Sequence, residues 1–176
     1  MPKDKVSIKQ DELDRLEAAL TSYIRTFKRS DYWETVLNRA DVQLDRPASA
    51  IVGTLDASDQ CQFQQLVSRL GIEAPSVSRK VHMLESAGLV ERVPTADRRV
   101  HELRLSSRGK SLAKKLTQAK HQLLSEIVSD WTSSDIEQLV ILLERFAADM
   151  TARFNIAPDS SITAGKTNFK QDLVNE

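Results

Sequence analysis

One cysteine, Cys61, stands in a chain of 176 residues. No intrachain disulfide can form, so nothing ties the chain to an oxidising compartment. Glycine and proline number five each and follow no tripeptide period, which excludes a collagen-like rod. No apolar run approaches the roughly 18 residues of a membrane span. The opening MPKDKVSIKQ lacks the apolar centre of a signal peptide. A soluble, cytoplasmic protein is the expectation. P-loop, G-x-S-x-G and H-E-x-x-H signatures are missing, so neither an enzyme nor a cofactor is expected. His82 and Glu85 stand three apart, but His101 and His121 fall on other elements, and two ligands do not make a metal site. What remains is a chain with 40% hydrophobic and 28% charged residues, an ordinary globular balance that excludes wholesale disorder.

Net charge is zero, 25 Lys+Arg against 25 Asp+Glu, but the charge is unevenly placed. Residues 62–115 hold eleven basic and five acidic side chains, whereas both flanks are acidic. A basic centre between acidic flanks can present one face to a polyanion and stay soluble elsewhere.

Apolar periodicity predicts a mainly helical protein around one short hairpin. Leu13, Leu16, Leu20, Ile24 and Phe27 form the stripe of a long first helix that begins near Asp11 and continues through Tyr32, Trp33, Val36 and Leu37. Asp45-Arg46-Pro47 caps a short helix through Ile51 and Leu55. Phe63, Leu66, Val67 and Leu70 make a helix that Gly71 stops. Pro75 opens another, with Val77, Val81 and Leu84 inward and Gly88 at its end. Two helices joined by a short Gly-containing turn are a helix-turn-helix candidate. Leu89–Val93 and the alternating Leu103 and Leu105 predict a two-stranded hairpin, with Asp97, Arg98 and Arg99 near its tip. Ser106 or Ser107 starts a long helix with Leu112, Leu116, Ala119, Leu123 and Ile127. Thr132–Asp135 then caps a last one.

On the helix from Pro75, a step of 100° per residue turns Pro75, Ser78, Arg79, His82 and Ser86 away from the Val77 seam, with Ser76 and Met83 at the flanks. That face is polar, small near its N-terminal end, and basic. It suits entry into a DNA major groove, where Arg79 can donate to guanine O6 and N7 while Ser76 or Ser78 reaches a phosphate or base edge. Arg98 and Arg99 on a projecting turn suit the focused negative potential of a narrow minor groove, and Asp97 is better placed to orient an arginine than to meet DNA.

The run from Phe63 to Leu116 resembles the MarR family of bacterial winged-helix regulators. The matching text is Leu66-Val67-Ser68-Arg69-Leu70-Gly71-Ile72, Pro75-Ser76-Val77-Ser78-Arg79, Leu84 through Arg92, Asp97-Arg98-Arg99, and Leu103 through Gly109. The resemblance implies a winged helix-turn-helix lobe (45–106), a helical dimerisation region (10–44 and 107–155), and a homodimer on a pseudo-palindromic operator, mostly a repressor released by a small ligand. It also implies Ser76, Arg79, Arg98 and Arg99 as DNA contacts. Residues 156–176 depart from the usual ending and are expected to form a flexible tail.

The first and last helices carry more apolar surface than one winged-helix core can use, which favours burial against a second copy. Phe27, Tyr32, Trp33, Ile51 and Leu55 are candidates to line an effector cleft, with Arg25, Lys28 or Arg29 to meet a carboxylate of a lipophilic or anionic ligand. Cys61 has no Lys or His beside it in sequence, so an unreactive thiol is expected rather than an oxidant sensor. Two other readings share these features: a winged-helix module binding an acidic protein, and a sequence-neutral architectural DNA-binding protein.

Overall fold

The computed structural model describes residues 8–94 and 101–154. Its elements are α1 (Gln10–Lys28), α2 (Ser30–Ala40), α3 (Arg46–Ser58), β1 (Gln60–Gln62), α4 (Phe63–Leu70), α5 (Ala74–Ser86), β2 (Val90–Pro94), β3 (His101–Leu105), α6 (Ser107–Ile127) and α7 (Ser133–Phe154).

The single long first helix expected from the apolar pattern is two helices. Arg29, at φ −64° and ψ 144°, ends α1 and starts α2. The physical reason is helical phase. On a continuous rod, the stripe from Leu13 to Phe27 and the stripe from Tyr32 to Ala40 would lie roughly 170° apart. The extended residue resets that phase. Val36 and Ala40 then enter the core, while α1 buries nothing.

Helix α3 is the centre of the lobe. The Asp45 side chain caps it by accepting from the Ala48 amide at 3.0 Å, and Pro47 sits in its first turn. Its face of Ala48, Ile51, Val52 and Leu55 is fully buried with Leu66, Val77, Val81, Leu84, Leu103 and Leu116. Gly71 closes α4 in the left-handed conformation, φ 60°, which glycine adopts without a Cβ penalty.

The sheet has three antiparallel strands in the order β1-β3-β2, not the two of a bare hairpin. Strand β1 is only three residues long and alternates exposed, buried, exposed, too short for periodicity to reveal. It exists because β3 has a second edge to pair. Cys61 faces Leu103 across that ladder, and both are buried.

Helix α6 is seated on the turn after α5. The Ser106 hydroxyl donates to the Gly88 carbonyl at 2.7 Å and accepts from the Gly109 amide at 3.0 Å, while the Ser106 amide donates to the Leu89 carbonyl. One serine thus caps the helix and holds it to the lobe. At the far end, Thr132 and Asp135 cap α7 reciprocally: Thr132 N–H and O–H donate to the carboxylate, and the Asp135 amide donates to the Thr132 hydroxyl. Helix α7 buries no residue. Helices α2 and α6 pack together, and Arg39 joins them through a two-pronged ion pair to Glu126 at 2.7 and 2.8 Å.

Candidate nucleic-acid interface

Helix α5 is pinned by Val77, Val81 and Leu84. The burial of those three turns Pro75, Ser78, Arg79, His82 and Ser86 to solvent, with Ser76 half-buried at the margin. Among the described residues, Ser76, Ser78, Arg79 and His82 have no side-chain hydrogen bond or ion pair, so the whole face is uncommitted.

Four other basic side chains of the central segment are not free. Lys80 is paired with Asp45, Arg92 with Glu85, Arg104 with Glu91 and Lys110 with Asp59. Two of these acids, Asp45 and Asp59, precede the basic segment in sequence, and only folding brings them against it. The uncompensated cations of the lobe are therefore fewer than a count suggests, and Arg79 is the one on the reading face of α5.

The hairpin is in register up to the pair Pro94–His101. Asp97, Arg98 and Arg99, assigned from sequence to the wing tip, lie outside the described residues, as does the expected tail over 156–176.

The MarR family model matches residues 42–99. That stretch, which holds the helix-turn-helix and strand β2, is similar to the MarR family. Several solved structures share the fold beyond that stretch. A MarR family protein from Bacillus stearothermophilus superposes with a TM-score of 0.72 at 17% identity, over 82% of this chain and 99% of that one. Wild-type MarR from E. coli, in its apo form, has a TM-score of 0.60 at 18% identity, over 73% and 95%. NadR in complex with 4-hydroxyphenylacetate has a TM-score of 0.51 at 24% identity, over 83% and 97%. The fold shared with these structures thus extends beyond residues 42–99 to most of the chain.

The residues proposed from sequence for an effector cleft divide into two groups. Phe27, Tyr32 and Trp33 come together, with ring centroids 5.0 to 5.6 Å apart. Ile51 and Leu55 do not join them: both are sealed in the core of the winged-helix lobe, because α3 is buried along that entire face. The cations over the aromatic cluster are Arg46, 5.6 Å from the Trp33 ring, and Lys120, 5.9 Å from it. Arg29 instead pairs with Asp31 at the α1–α2 joint. Nothing in the sequence pattern flagged Arg46 or Lys120, since they reach the rings from α3 and α6.

Beside Lys120, a cleft of about 520 Å³ opens between α3 and α6, lined by Val52, Gly53, Asp56, Leu116, Lys120 and His121 among others. Burial lowers the pKa of Lys120, and Asp56 pulls it the other way. The Trp33 indole N–H is buried and has no acceptor among the described residues.

Cys61 is 2% exposed. Burial raises its thiol pKa, outweighing the Arg69 charge and a Ser58 hydrogen bond. A raised pKa and a closed site both disfavour the reactive thiolate. Cys61→Ser is therefore expected to leave the peroxide response of DNA binding unchanged in a gel-shift titration. A response that disappears in the variant would establish a sensor.

Proposed function

We propose that this protein is a sequence-specific, double-stranded-DNA-binding transcriptional regulator, acting as a homodimer on a pseudo-palindromic operator and as a repressor released by a small ligand. The observation that carries the reading is the outer face of α5: exposed, uncommitted, free of acidic side chains at its centre, and headed by Arg79 in a lobe similar to the MarR family. Selection from a randomised duplex pool tests it. One two-fold-symmetric consensus, bound with steep salt dependence, is expected. Comparable affinity for a shuffled duplex at physiological salt favours the architectural reading instead. Arg99→Ala is expected to weaken binding to operator and shuffled duplex alike, as a minor-groove anchor would.

Dimerisation is supported by the apolar faces that one chain leaves open. Leu13, Leu16 and Ile24 on α1, and Leu139, Val140, Leu143, Phe146 and Met150 on α7, are each between 38% and 51% exposed. Exposed apolar stripes on two helices suit an association site. A two-fold pair would set two α5 helices about one DNA turn apart, roughly 34–36 Å. Leu143→Glu is expected to give a monomer in analytical ultracentrifugation and to lose most operator affinity, since two half-sites then bind independently. A dimer that survives the substitution places the interface elsewhere.

The effector reading rests on the Trp33 cluster and the adjoining α3–α6 cleft. An aromatic wall, two cations and an orphan N–H donor suit a flat, lipophilic anion, the class to which the 4-hydroxyphenylacetate bound by NadR belongs. Aromatic carboxylates titrated into the protein–operator complex should release DNA and raise the melting temperature of the free protein. Failure of both ends the ligand reading while leaving DNA binding intact.

A further inference from the structure

Helix α5 meets the rest of the lobe through two ion pairs as well as through its apolar seam. Counted at 100° per residue from Val77, Lys80 lies roughly 60° to one side of the seam and Glu85 roughly 80° to the other. These shoulder residues are the two charged side chains of α5 that turn from solvent, with side chains 29% and 20% exposed. Each is paired with a different part of the lobe. Lys80 donates to the Asp45 carboxylate, whose other oxygen caps α3, the most deeply buried helix. Glu85 accepts from Arg92 on β2 through two nitrogens, at 2.6 and 3.3 Å.

Three aliphatic side chains resist translation of a helix better than small rolls about its axis, because dispersion contacts are short-ranged but not directional. The Arg79 guanidinium stands on the opposite side, roughly 9 Å from the axis when extended, so a 10° roll displaces it by about 1.5 Å. That distance is enough to lose a bidentate hydrogen bond. Burial pushes the Asp45 carboxyl up, but Lys80 and the Ala48 amide outweigh it and hold the group below its ordinary range, so the Asp45 charge persists at neutral pH.

We infer that Lys80 and Glu85 are positioning residues which clamp the roll of the reading helix from both shoulders and set base specificity without touching DNA. The inference rests on the DNA-reading role of α5 proposed above. Partly exposed ion pairs add little to stability, so the clamp acts on direction rather than on folding.

The test uses the full chain, a duplex selected by the wild-type protein from a randomised pool, and a shuffled duplex of equal length. Lys80→Gln is expected to weaken binding to the selected duplex about tenfold or more, with affinity for the shuffled duplex within about twofold and the salt slope unchanged. Asp45→Asn should reproduce this, because asparagine still caps α3 and only the partner charge is lost. The Asp45→Asn/Lys80→Gln double variant should lose no more than either single one, and Lys80→Arg should restore most of the selectivity. Glu85→Gln should lower the ratio of the two affinities in the same way, and the swap Glu85→Arg/Arg92→Glu should recover it. Parallel losses on both duplexes with a salt slope reduced by about one would make Lys80 a phosphate contact and overturn the clamp. An unchanged ratio in Lys80→Gln and Glu85→Gln overturns it as well. If the wild-type protein enriches no sequence, the DNA-reading role itself falls, and the clamp with it.

Discussion

Replacing Arg79 by alanine is expected to weaken operator binding by roughly 5- to 150-fold, the equivalent of about 1–3 kcal/mol for one bidentate arginine–guanine contact. The loss should be confined to the cognate sequence, and base preference should relax at one position of each half-site. Folding should not change, because Arg79 is exposed and makes no bond within the described chain. Melting temperature therefore serves as the control. Binding isotherms on the selected duplex and on its single-base variants decide the matter. Equal losses on cognate and shuffled duplex would reduce Arg79 to a phosphate anchor and move base reading to Ser76, Ser78 or His82.

Gly109→Ala acts on the fold instead. A Cβ at Gly109 would stand 2.1 Å from the Leu89 carbonyl oxygen, far inside van der Waals contact, and that atom is backbone. No rotamer relieves it. Helix α6 would have to leave the Gly88–Leu89 turn and break the Ser106 bonds to both carbonyls. Alanine ordinarily favours a helix over glycine by about 1 kcal/mol, so the clash must first overcome that gain. The expected net cost is about 3 kcal/mol or more, a fall of roughly 6–12 °C in melting temperature. Gly53→Ala is the matched control. It lies in α3 and, apart from its chain neighbours and its own helix's backbone, no atom of the described residues comes within 4 Å of the added carbon, so it should stabilise by up to about 1 kcal/mol. Opposite signs for the same substitution on two helices would locate the effect in the α6 contact. A tolerated Gly109→Ala would mean that α6 is not seated as described.

The elements of the winged-helix lobe could be read from the chain because local rules and tertiary packing agree there. Asp45 with Pro47 starts α3, Gly71 stops α4, Pro75 opens α5, Ser106 caps α6, and the Val77–Val81–Leu84 spacing leaves one outcome for which face of α5 is wet. The break at Arg29 could not be read in the same way. Both stripes are good helical stripes, and only their relative phase shows that one rod cannot serve them. Strand β1 was equally silent, since three residues carry no period and gain their conformation from the edge of β3.

Charge divides along the same line. Composition and order alone placed the basic segment, the polar face of α5 and the apolar excess of the outer helices, because each depends on spacing along a single element. Which cations stay free was decided by three-dimensional folding. Lys80 and Lys110 are paired with Asp45 and Asp59 across 35 and 51 residues of chain, and Arg46 and Lys120 reach the Trp33 ring from separate helices. Pairings of this kind depend on distances between elements, and no periodicity within an element encodes them.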